Sequence, residues 1–122
     1  MLETVAPSEE PPWDRLFAEA EEIISRLLES LPVEIRAEAD RVPCLLEEWP
    51  PEGDEALGRC LSFEPNVISE APGPIILYLG PIYLDCLESG RSFAEEIRVT
   101  YLHELGHHFG LDEDDLAARG LE

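Results

Sequence analysis

The chain has three histidines, and all of them fall within six consecutive positions: His103, His107 and His108. Two of them frame His103-Glu104-Leu105-Gly106-His107, the pattern H-E-x-x-H. On a helix, residues four apart lie on one face, one turn from each other. Two imidazoles so placed can reach one Zn²⁺ at about 2.0–2.1 Å each. The glutamate between them projects alongside, where a carboxylate can take a proton from water at the metal. Gly110 lets the chain leave the helix and turn back, so that Glu113, three residues on, can return as a third ligand. A carboxylate oxygen at about 2.0–2.2 Å is acceptable to zinc. Asp112 and Asp114 flank Glu113, and either is an alternative ligand. The same acids also suit the start of a short helix, with Asp112 as its cap. His108 falls on the wheel near Glu104 and the apolar side, which suggests packing or support of the ligands rather than ligation.

A five-residue pattern arises by chance in roughly one chain of this length in a few hundred, so its setting has to decide. The setting is a helix. Ser92 with Glu95 three residues on forms a capping box. Phe93, Ile97, Tyr101, Leu102, Leu105 and Phe109 then recur at helical spacing, and Gly110 is a natural stop. The stripe of Ile97, Tyr101, Leu102 and Leu105 turns away from His103 and His107, so the helix can pack and still present both imidazoles to a cleft.

Upstream, Leu16, Phe17, Ala20, Ile23, Ile24, Leu27, Leu28 and Leu31 mark an amphipathic helix, opened by Pro12 and closed by Pro32. A short helical turn is expected over 34–39. Apolar runs at 42–49 and 59–63 are candidate strands. The clearest strand is 75–79, Ile-Ile-Leu-Tyr-Leu, between Gly73-Pro74 and Gly80-Pro81. It could be an edge open to an extended peptide. Short helices are expected at 82–87 and 114–119. Residues 1–12, with three prolines and three acids, read as a disordered acidic tail, leaving 13–122 as one domain. Tyr78, Tyr83 and Tyr101 are candidates to steady an oxyanion, although core packing is the commoner role for a tyrosine.

The 122 residues include 28 Asp and Glu against 8 Lys and Arg, a net charge of −20. Such a field repels nucleic acid and anionic membranes and favours cations or basic peptides. It also keeps a small protein soluble. No apolar run approaches the ~20 residues of a membrane span. The N-terminus has no basic and apolar leader pattern, so a cytoplasmic location is expected. Cys44, Cys60 and Cys86 are odd in number and contain no C-x-x-C, which suits free thiols.

The segment TYLHELGHHFGLDEDDL, together with the earlier YLGPIYL, resembles the small bacterial zincin-like metallopeptidases, over about residues 42–120. The resemblance implies an α+β, minimal zincin-like fold. In it a small mixed or antiparallel sheet packs on the active-site helix, with an N-terminal helix behind. It implies zinc held by His103, His107 and an acid at the third-ligand position. That acid is more often Asp in the family, where this chain has Glu113. A Met-turn is absent, because Met1 is the only methionine.

These readings lead to a zinc peptidase with Glu104 as general base. Its substrate would be a peptide or protein, with basic ones favoured by the charge. Two rivals differ in what they require. A non-catalytic zinc module would use the metal as a staple and the acidic surface for a partner. A coincidental motif would bind no metal at all.

Overall fold

A computed structural model of the chain describes residues 11–53, 56–60 and 73–109. Its elements are α1 (Trp13–Ser30), α2 (Val33–Ala39), β1 (Cys44–Glu47), β2 (Gly58–Cys60), β3 (Ile75–Tyr78), α3 (Leu79–Ser89) and α4 (Phe93–His108). The architecture is α+β, as expected.

The strands form one mixed sheet in the order β1-β3-β2, with β1 parallel and β2 antiparallel to β3. Ile75 and Leu77 are fully buried on the face that meets the helices, and Leu46 and Gly58 align with Leu77 on that same row. β3 is therefore the central strand, which corrects the expectation that it is an edge. Both of its sides are already used by neighbouring strands. Among the described strands, β1 and β2 are the outer ones.

β3 also ends earlier than the sequence suggests. Leu79 and Gly80 already belong to α3, which runs through to Ser89 rather than over 82–87. Pro81 stays within the first turn, where a backbone N–H has no helical partner to lose. At the other end Gly90 adopts φ +82°, the left-handed cap that favours glycine, and its N–H donates to the Cys86 carbonyl at 2.9 Å.

α1 buries Leu16, Ala20, Ile24 and Leu27, a 4-4-3 spacing along one face. The Leu16 N–H donates to the Pro12 carbonyl at 3.0 Å, and Leu31 turns extended before Pro32. α4 is the most enclosed helix: it packs against α1, α3, β2 and β3. Ile97, Tyr101, Leu102 and Leu105 join Leu16, Leu77 and Ile82 in the core. Ser92 caps it, its hydroxyl oxygen accepting the Glu95 N–H at 3.1 Å.

Among the described residues, no helix is long and apolar enough to cross a membrane. The expected tail over 1–12 and the final helix over 114–119 lie wholly or mostly outside the described residues, as do residues 61–63 of the second candidate strand.

Candidate metal centre

The last two turns of α4 carry the motif. Leu105 and Gly106 are buried there, whereas His103, Glu104 and His107 are half-buried. Burying the apolar residues thus fixes the helix and aims the polar ones toward the boundary with solvent.

His103 and His107 converge. Their Nε2 atoms lie 3.1 Å apart, with ring planes at 89° and centroids 4.7 Å apart. Two ligand nitrogens each about 2.05 Å from one ion would subtend an angle of about 100° at this separation, close to tetrahedral. The pair therefore fits two positions of a zinc site. Ligation needs both Nε2 atoms unprotonated, so metal would displace any proton shared between the rings. Glu104 sits one residue from His103 and three from His107, as the motif requires.

The third ligand expected from the sequence, Glu113, lies outside the described residues, together with its alternatives Asp112 and Asp114 and the turn at Gly110. Among the described residues no group of three His, Cys, Asp or Glu gathers to hold an ion. The cysteines are poor candidates. Burial pushes the Cys44 thiol up to about 12. Burial first, then Glu96 and Asp85, push Cys86 up to about 11. Both are free thiols.

β2 lies close beside this part of α4. A Cβ built on Gly58 would stand 3.0 Å from Thr100 Cγ2 and 3.1 Å from the Ile76 carbonyl oxygen. Glycine lets the strand approach the helix one turn before His103. The tyrosines behave as packing groups. Tyr101 and Tyr78 are buried, Tyr83 packs against the core, and burial raises the Tyr101 hydroxyl well above its usual range.

His108 has a partner that the sequence did not disclose. Its Nε2 lies 2.7 Å from Glu38 Oε2, across 70 positions of sequence. Arg41 Nη1 donates to Glu38 Oε1 at 2.8 Å. These hydrogen bonds, that of His108 first, hold the Glu38 carboxyl below its ordinary range. The carboxylate is then ionised and can only accept, so His108 Nε2 carries the donated hydrogen.

The family of zincin-like metallopeptidases matches this chain over residues 33–121, from the first residue of α2 through the acid run. The chain belongs to the zincin-like metallopeptidases. No curated protein matches it. Among solved structures it is similar to a conserved hypothetical protein of Thermus thermophilus, with 28% identity and a TM-score of 0.55. That similarity covers 84% of this chain and 98% of the other. In this zincin-like metallopeptidase the paired histidines lie on α4, the most enclosed of the described helices. α1 precedes the matched span and packs against that helix.

Proposed function

We propose that this zincin-like chain is a zinc-dependent peptidase. The observation that carries the reading is the convergence of His103 and His107 Nε2 at 3.1 Å on the H-E-x-x-H helix. His103 and His107 would hold the metal with one acid of the 112–114 run, Glu113 first among them. When bound, zinc would supply a Lewis acid and make water acidic enough to lose a proton near neutral pH. Glu104 accepts the proton of the attacking water on its carboxylate and returns it to the leaving amine nitrogen. The half-buried setting of both imidazoles limits competing water and holds their rings in place. The excess of acids, 28 against 8 basic residues, favours basic peptide or protein substrates over nucleic acid. The free thiols of Cys44 and Cys86 suit a reducing compartment such as the cytoplasm.

The test is elemental analysis of the purified protein beside His107→Ala, followed by a peptide-library cleavage assay. Near-stoichiometric zinc in the parent, lost in the variant, with metal-dependent cleavage, is the expected result. Stoichiometric zinc without cleavage of any peptide would turn the reading toward a zinc-stapled binding module. No zinc in either protein, even after incubation with the metal, would sink it.

A further inference from the structure

His107 and His108 occupy the final turn of α4. The last carbonyls of a helix lack intrahelical partners, and such turns fray unless something outside the helix holds them. A ligand in that turn keeps its aim only if the turn is anchored. His103, one turn earlier, sits in a stretch flanked by the buried Thr100, Tyr101, Leu102 and Leu105. Phe109, the residue that follows the helix, is 41% exposed and gives little lateral anchorage.

Leu105 and Gly106 are buried at the start of this turn, and beyond them the anchor is polar. The His108 side chain is only 9% exposed and donates to Glu38 Oε2 at 2.7 Å. Glu38 is itself fixed from its other oxygen by Arg41 at 2.8 Å. α2 is short, seven residues, and has one buried residue, Ala39. Its contribution to the core is small, yet it delivers a doubly held carboxylate to the residue adjoining His107. A long side chain with both oxygens committed has lost most of its rotational freedom.

We propose that Glu38 is a positioning residue for metal binding: by holding His108 it fixes the last turn of α4 and keeps His107 Nε2 in register with His103 Nε2. This rests on the zinc reading above. Glu38 touches neither the metal nor the substrate. It acts through the backbone between His108 and His107, as outer hydrogen bonds commonly orient metal ligands.

The experiment measures zinc affinity by competition with a chromogenic chelator, the visible spectrum of the cobalt-substituted protein, and the melting temperature of the metal-free form. The proteins are the parent, Glu38→Ala, Glu38→Met, Glu38→Gln and Arg41→Ala. Removing the acceptor in Glu38→Ala should weaken zinc binding by about 10–100-fold and alter the cobalt bands. Glu38→Met fills nearly the same volume without an acceptor, so it should show the same loss even if the alanine variant folds poorly. Glu38→Gln keeps an oxygen for the His108 N–H and should restore most of the affinity. Arg41→Ala leaves the His108 bond in place but frees the other Glu38 oxygen, so its loss should be clearly smaller than that of Glu38→Met. Parent-like zinc affinity and cobalt spectrum in Glu38→Met would overturn the proposal while leaving the zinc reading intact. So would a loss in Arg41→Ala equal to that in Glu38→Met, because it would mark a general effect of loosening α2. A folded parent that binds no zinc would overturn the zinc reading and this proposal together.

Discussion

At the scale of single residues, the proposed chemistry separates holding the metal from moving the proton. His103 and His107 do the first and Glu104 the second. Glu104→Gln removes the proton acceptor at nearly constant size and leaves both imidazoles untouched. The expected outcome is a zinc content equal to the parent's with turnover of a cleaved peptide reduced about 10²–10⁴-fold. Loss of zinc together with activity would show that Glu104 acts in binding instead. The pairing of the two histidines was legible in the sequence because it is local. Spacing of four on a helix is enough to bring two rings together, and the 3.1 Å approach of their Nε2 atoms agrees with it. Glu38 was not legible. It lies 70 positions from His108, and only the packing of α2 beside the end of α4 makes them partners. Nothing about an acid in VEIRAEA sets it apart from the chain's 27 others, 28 acids in all.

At the scale of elements, local sequence identified every described helix and strand but misplaced the join between β3 and α3. Gly80-Pro81 reads as a turn, and in most settings it would be one. Here both residues occupy the first turn of a helix that follows the strand without a linker. The reason for glycine is Trp49. A Cβ on Gly80 would lie 2.5 Å from Trp49 Cε3 and Cζ3, so the indole rests directly on the helix backbone. The Gly80 N–H also donates to the Glu48 carbonyl at 2.8 Å, tying the end of β1 to the start of α3. Gly80→Ala should therefore push the indole off. Trp49 is already 48% exposed, so the ring can move outward instead of forcing the helix to shift. The expected cost is about 1–2 kcal/mol in a denaturant titration, at the low end for an overpacked site. A red shift in tryptophan emission should accompany it, as the contact with Trp13 at 5.7 Å is lost. Unchanged emission and stability would mean that Trp49 does not rest on Gly80 in solution. Four apolar residues in a row, rather than alternation, suit a strand whose two faces are both shielded, and they say nothing of its place in the sheet. Which strands cover its edges is a matter of long-range pairing, and no local pattern states it.

At the scale of the whole molecule, the net charge is −20; most acids among the described residues are exposed, and one of them is buried. Glu96, on α4, is 3% exposed. Arg91 Nη1 donates to its Oε1 at 3.0 Å across the α3–α4 connection. Its carboxyl is raised above the ordinary range, first by a hydrogen bond shared with Asp85 of α3 and next by burial, with Arg91 opposing. The folded state therefore binds this proton more tightly than the unfolded state, whose value is near 4.5. Stability linked to Glu96 is fully present below that value, is lost as pH rises through the folded value, and stays lost above it. Repulsion among the exposed acids also grows over this range, so the parent's melting curve alone cannot isolate Glu96. The difference between Glu96→Gln and the parent can, since both share the rest of the surface. Glutamine resembles the protonated acid: it can donate to Asp85 and accept from Arg91 at any pH. The melting temperature of the variant minus that of the parent should climb as pH rises from about 4.5 toward neutrality and then level off. A flat difference would show that Glu96 titrates alike in both states, and a falling one that the Arg91 contact outweighs Asp85 and burial. The measurement belongs on metal-free protein, so that zinc release at low pH does not add its own slope.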